Sequence, residues 1–365
     1  HKKYKEEDTA LFESLNAKSL GIDFENTLSY TEDFNVYVFR SFYNGAGTGL
    51  ADLNNDGFLD LFFSGNMVDN TLYLGDGQFN FIDVTEISGV GSPGSWSTGV
   101  SIIDINQDGL VDIYVCKSGK PEDPNRRNDL FINQGNNENG IPIFKESAAD
   151  YGLDNLGFSI HAVFFDYDKD GDLDMYLSNN SIHQTEFIMD ARKGLRDKMD
   201  VGGGNKLFRN DGNSFIDVTN EAGIYSSGIG FGLGLALGDL NRDGWPDIYV
   251  ANDFFEKDYL YINNQDGTFT ESIDIAISEL SLGSMGVDIA DINNDGYPEI
   301  FVTEMLPKTE SRLKTKTVFD NWDNYILKVN NGYHQQFPRN TLQLNNGNIG
   351  RDSMIAFSEI SRYAG

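Results

Sequence analysis

At 365 residues, with 39% hydrophobic and 13% aromatic content, the chain carries enough apolar side chains for one large or two ordinary cores. Its 27 basic against 57 acidic residues give a formal charge of −30, which repels phosphate backbones and sets nucleic acid aside as a partner. One cysteine, Cys116, excludes an internal disulfide framework and a multi-cysteine zinc site, and no apolar run reaches the roughly 20 residues that span a bilayer.

In chain order, residues 1–44 form a lead-in. Within it GIDFENTL (21–28) reads like the texts FIDVTE (81–86) and FIDVTN (215–220) further on, and is expected to be a ring-closing strand. Then DLNNDGFLD (52–60) opens a series: DINQDGLVD (104–112), DYDKDGDLD (166–174), DLNRDGWPD (239–247) and DINNDGYPE (291–299). Five copies of D-x-[ND]-x-D-G-x-x-[DE] in register are an internal repeat. Each copy follows a short apolar run with small residues (GTGLA, GVSII, HAVFF, GLALG, GVDIA) and precedes a strand-forming triplet (LFF, IYV, MYL, IYV, IFV). The loops therefore join strands, not the helices of an EF-hand. A second signature follows each loop: NTLYLGDGQFNFIDVTE, NDLFINQG, NKLFRNDGNSFIDVTNEAG, DYLYINNQDGTFTE and NTLQLNNG. Each reads as a strand, a glycine turn and usually another strand.

One repeat is thus four short antiparallel strands, and the fold class is all-β: a β-propeller of four-stranded blades. The blades parse as 45–95, 96–157, 158–229, 230–281 and 282–365. Five residues before the first aspartates stand Gly47, Gly99, His161, Gly234 and Gly286, small residues suited to a strand crowded near the axis, with His161 expected as a packed exception.

Calcium takes about 6–8 oxygens, and a glycine at loop position six permits the sharp turn that points alternate side chains inward. The candidate ligands at positions one, three, five and nine are Asp52, Asn54, Asp56, Asp60; Asp104, Asn106, Asp108, Asp112; Asp166, Asp168, Asp170, Asp174; Asp239, Asn241, Asp243, Asp247; and Asp291, Asn293, Asp295, Glu299. Position seven (Phe58, Leu110, Asp172, Trp245, Tyr297) would add a backbone carbonyl. Up to five structural Ca²⁺ ions follow. Glu299 is longer than the aspartates it replaces, so the fifth loop fits the pattern least well.

The large insertions fall in connections between second and third strands: 117–127, 181–204 and 306–339, with helix expected around 183–199 and 317–329. Strand direction places them on the face opposite the aspartate loops. They and their neighbours concentrate Trp96, Arg126, Arg127, Phe254, Phe255, Trp322, Tyr325, Tyr333 and His334, residues that either pack the insertions down or form a recognition surface. No Ser–His–Asp, phosphate-loop or separable carboxylate-pair signature nominates an enzyme, although a polysaccharide-active one stays open as an alternative.

The repeats resemble the FG-GAP/VCBS type of integrin-α-like propellers. More closely, ANDFFEKDYLYINNQDGTF, SMGVDIADINNDGYPEIFVTEMLP and NGYHQQFPRNTLQLNNG resemble bacterial exported proteins of the VCBS/ASPIC–UnbV group. That resemblance covers residues from about Gly21 onward. It implies a ring of about seven blades, hence a longer parent chain, and a non-catalytic role at a bacterial cell surface or outer membrane. It also implies a lipid anchor outside this sequence, and a glycan or an envelope protein complex, such as uptake machinery, as partner.

Overall fold

The computed structural model describes residues 12–120, 122–181, 191–200, 202–212, 214–305, 307, 309–316, 322–349 and 354–364. Five four-stranded antiparallel sheets succeed one another, each strand pairing with the next in sequence. The first blade is Thr48–Ala51, Asp60–Phe63, Thr71–Gly75 and Phe81–Asp83, and the fifth is Val287–Ala290, Glu299–Val302, Thr341–Ile349 and Met354–Glu359.

The β-branched and aromatic triplets after each loop form the second strands, which in blades 2, 3 and 4 (Asp112–Ser118, Asp174–Asn179, Asp247–Asn252) are buried at every position. Burial on both faces follows from face-to-face blade packing. One core joins blades 1 and 2 through Phe62, Leu72, Val115 and Phe131, and the next joins blades 2 and 3 through Tyr114, Leu130, Met175 and Phe208. Tyr176, Leu207, Val250 and Tyr261 join blades 3 and 4, and Tyr249, Leu260, Ile300 and Val302 join blades 4 and 5. In blades 1 and 5 the second strands are only partly buried, and Leu50 and Phe301 are exposed. Cys116 lies in the second of these cores, where burial pushes its thiol pKa up and keeps it protonated.

First strands of successive blades pack against one another. A Cβ at Gly99 would lie 2.3 Å from the Ile160 carbonyl oxygen, and one at Gly234 2.9 Å from that of Met285, so glycine is required where these backbones touch. His161 takes the equivalent place in blade 3. Its imidazole is lowered in pKa by burial and borders a cavity of about 200 Å³ with Thr98, Gly99, Ser41 and Leu233.

Residues 21–28 join no sheet, which corrects the expected ring-closing strand. A single turn, Ala17–Leu20, ends at Gly21 with φ 86°, and Tyr73 holds the chain beyond it. The Tyr73 hydroxyl donates to the Asp23 carboxylate at 2.7 Å and accepts from the Phe24 amide at 3.0 Å. Gly21 sits against the Phe81 carbonyl as Gly89, Gly152 and Gly223 sit against those of Phe144, Phe215 and Phe269. The segment therefore matches the linker that follows a fourth strand, not the strand itself. Beyond it Phe34, Phe39 and Phe42 close around Trp96 and Phe158 in a separate aromatic core.

Of the helix expected around 183–199, residues 183–190 lie outside the described residues, and 191–199 hold only the single turn Ala191–Lys193 followed by turns and bends. In the last insertion Glu310–Lys316 and Trp322–Asn330 are helical, while 317–321 lie outside the described residues.

Candidate metal centre and insertion face

All five aspartate loops connect first to second strands and share one backbone course. Position four of each (Asn55, Gln107, Lys169, Arg242, Asn294) is left-handed, with φ between 56° and 61°, and the glycine two residues later is left-handed too. This course turns backbone N–H groups toward the side chains. In the first loop the Asp52 carboxylate accepts from the Asp56 and Gly57 amides at 3.0 and 2.8 Å, and Asp56 accepts from the Phe58 amide at 2.9 Å. The second, fourth and fifth loops repeat these bonds through Asp104, Asp239 and Asp291. Backbone donors thus hold the carboxylates in place while leaving their remaining lone pairs for another cation.

The position-nine carboxylate is the buried anchor. Asp60 accepts from Leu53 in its own loop and from Gly75 on the third strand, at 2.8 and 3.0 Å. Asp112, Asp174 and Asp247 do the same with Ile105 and Asn133, Tyr167 and Asn210, and Leu240 and Asn263. Burial, reinforced by neighbouring aspartates, raises Asp60 and Asp112 to about 6 and Asp174 and Asp247 to about 7, although backbone donors oppose the shift. A divalent cation reverses that balance. Glu299 likewise accepts from the position-two amide, Ile292, at 2.9 Å, and in addition accepts from the Asn293 side chain at 3.3 Å.

The third loop tests the fit best. Carboxylate oxygens of Asp166, Asp168 and Asp174 lie within 4.8 Å of one another. Asp166 Oδ1 is enclosed with no hydrogen-bond partner, as is Asp172 Oδ1. In the other four loops the position-three asparagine donates to the position-five carboxylate at 3.0 Å. Loop three has an aspartate there and no such donor, and, on top of burial, its clustered carboxylates raise one another's pKa against the opposing charge of Arg209. These oxygens fit a hard cation of the calcium kind.

Sequence reasoning passed over a set of third-strand asparagines. Asn133 Nδ2 donates to the carbonyls of Leu53 and Val111, Asn263 to those of Tyr167 and Pro246, and Asn345 to those of Leu240 and Pro298. Each ties position eight of its own loop to position two of the preceding blade's loop. The signal was the asparagine common to FINQG, YINNQDG and LQLNNG.

On the opposite face the nine candidate partner residues divide. Trp96, Arg126 and Tyr333 are buried, which fits the packing alternative for these three. Trp96 lies in the N-terminal aromatic core. Arg126 donates to the Leu156 and Gly157 carbonyls at 2.8 Å each and stacks on Phe158, while Tyr333 lies under Arg196. Arg127 is exposed and pairs with Asp154 at 2.5 Å. Phe254 meets Phe231 edge-on, Phe255 lies under Lys328, and His334, half-buried, is lowered in pKa by burial. Trp322 is 71% exposed and stacks on Tyr325, which stacks on Phe337.

The acidic–basic run after Phe255 turns out to be a clamp. Buried Glu256 pairs with Arg196 at 2.5 Å, Arg196 donates to the Gly332 carbonyl, and Lys257 pairs with Glu271 and Asp274. Insertions from blades 3 and 5 are thereby fastened to blade 4.

The FG-GAP-like repeat family matches residues 52–115, 199–250 and 239–302, stretches that contain four of the five loops in whole or in part. The chain carries FG-GAP-like repeats on a fold of four-stranded propeller blades. The propeller is 37% identical over 96 residues to human integrin alpha-6, covering 23% of this chain and 8% of that protein. It is 25% identical over 214 residues to cartilage acidic protein 1 of Xenopus tropicalis, covering 58% of this chain and 29% of that protein. Only a small part of each relative's length is therefore spanned. Among solved structures, an Agrocybe aegerita lectin recognising non-reducing terminal N-acetylglucosamine aligns with 70% of this chain and 60% of its own, at 17% identity and a TM-score of 0.36. In the propeller no described helix is long and apolar enough to cross a membrane.

Proposed function

We propose that this propeller is a calcium-stabilised, non-catalytic recognition module that works outside the cytoplasm, its aspartate loops holding the scaffold and its insertion face meeting the partner. The observation that carries the metal half is loop three, where three carboxylates converge and an enclosed Asp166 oxygen has no partner. Asp52, Asp104, Asp166, Asp239 and Asp291 with their position-three, -five and -nine companions would hold the ions. A bound cation supplies charge neutralisation and rigidity there.

The recognition half rests on the opposite face. Insertions clamped by Arg196 and Glu256 present Trp322 at the end of an aromatic stack, a rigid planar surface suited to a sugar ring or a protein partner. The sequence resemblance supports a bacterial surface setting, with an anchor and further blades supplied by a longer chain; the partly buried second strands of blades 1 and 5 support neighbouring blades. A glycan array and a pulldown from envelope extract, each run with the native chain and with Trp322→Ala, test this half. Loss of a native ligand on substitution supports the reading. Ligands that ignore the substitution would move recognition elsewhere.

One observation favours the enzymatic alternative. Asp253 and Glu304, each just after a second strand on the insertion face, flank Gly283, and burial together with Asp253 raises Glu304 to about 7. A carboxyl protonated near neutrality beside a second carboxylate is the arrangement of an acid–base pair. Turnover of any array-positive glycan that is lost in Glu304→Gln would favour this reading over the binding module.

A further inference from the structure

Two sets of contacts join neighbouring loops: asparagine clamps between loops one and two, three and four, and four and five, and position-four side chains between loops two and three, three and four, and four and five. On the inner side, the third-strand asparagines join position eight of one loop to position two of its predecessor, as with Asn263 between Pro246 and Tyr167 and Asn345 between Pro298 and Leu240. Position two lies between the first two ligand positions, and position eight immediately precedes the buried ninth. Displacement of either residue moves ligands in both loops.

On the outer side, the left-handed residue at position four reaches forward. Gln107 of loop two donates to the Gly171 carbonyl of loop three at 2.9 Å. The Lys169 ammonium of loop three lies 4.4 Å from the Trp245 ring centroid at position seven of loop four. The Arg242 guanidinium of loop four lies 4.8 Å from the Tyr297 ring at position seven of loop five. Position seven is where the backbone carbonyl is expected to serve the ion, so the stacked cation bears on a residue at the site itself.

We infer that these struts and clamps couple neighbouring metal loops, so that ordering one loop raises the cation affinity of the next. The inference rests on the reading of the loops as cation sites. Coupling of this kind is reciprocal: loop five must favour loop four as much as loop four favours loop five. An exposed cation–π contact is worth about a two- to fivefold change in an equilibrium constant, which sets the size of effect expected of the outer strut alone.

Trp245 provides a site-specific reporter. Of the three tryptophans, Trp96 is in the N-terminal aromatic core and Trp322 is on the insertion face, so terbium emission sensitised by tryptophan reads loop four. The experiment titrates terbium into the calcium-depleted chain and its variants. Asp295→Asn, which weakens loop five alone, should lower the loop-four affinity about two- to fivefold. Tyr297→Ala, which keeps every side-chain ligand of loop five but removes the ring under Arg242, should act in the same direction. In an Arg242→Ala background the effect of Asp295→Asn on loop four should shrink. Loop-four isotherms in both single variants that superimpose on the native one would overturn the coupling while leaving the metal reading intact. Absence of sensitised emission from the native chain would overturn both.

Discussion

Asp247 shows at one residue how fold and ligand depend on each other. Burial, with Asp243 and Asp239 beside it, raises its carboxyl from 3.8 to about 7, although the amides of Leu240 and Asn263 that donate to it oppose the shift. Asp60, Asp112 and Asp174 behave alike. A carboxyl whose pKa is higher folded than unfolded contributes stability that is complete below about pH 4 and is lost as pH rises through 6 to 7. The calcium-depleted propeller should therefore melt higher at pH 5 than at pH 8, and saturating calcium should flatten that slope. Asp247→Asn should reduce the slope of the depleted protein, as measured by thermal denaturation across pH. An unchanged slope would separate these carboxyls from the pH response. At the partner face, Trp322→Ala should leave the melting temperature within about 1 °C, because the ring is mostly exposed, while abolishing any partner contact made there. A large drop in melting temperature would make Trp322 a packing residue.

At the scale of strands and loops, much was legible in the sequence. The nine-residue motif fixed both the turn and its place between two strands, because only a left-handed, glycine-containing course brings its acidic positions inward. The small residues before it marked backbones in contact, and Gly99→Ala, driving a methyl group into the Ile160 carbonyl, should cost about 1–3 kcal/mol in denaturant unfolding. Less legible was anything decided by partners distant in sequence. GIDFENTL resembled a fourth strand in its letters, but Gly21 and Tyr73 make it a linker. Trp96 and Arg126 stood between packing and recognition, and partners distant in sequence decide for packing: the lead-in folds back over Trp96, and carbonyls 30 and 31 residues away capture Arg126. Asn133, Asn263 and Asn345 recur at one place in their repeats, but their role does not show there, since half of each clamp lies in the preceding blade.

For the whole molecule, the −30 charge and the loops form one problem. Four blade-to-blade cores hold the blades together, while twenty candidate ligand side chains, most of them acidic, crowd one face. Cations at that face would remove repulsion and tie successive blades through the loops, whereas the insertion face is fastened by protein ion pairs such as Arg196 with Glu256. Arg196→Ala leaves Glu256 buried without its cation and should destabilise the fold by about 3–5 kcal/mol whether or not calcium is present. If the loss depended on calcium, the two faces would not be independent.

The most direct test of the central claim is calorimetric melting of the chain in calcium and in excess chelator, with bound metal quantified in both samples. Each site at hundredfold saturation adds about 2.7 kcal/mol, so several filled loops should raise the melting temperature by at least about 10 °C, with calcium present in the first sample and absent from the second. Superimposable melts of a protein that carries no metal in either condition would contradict it.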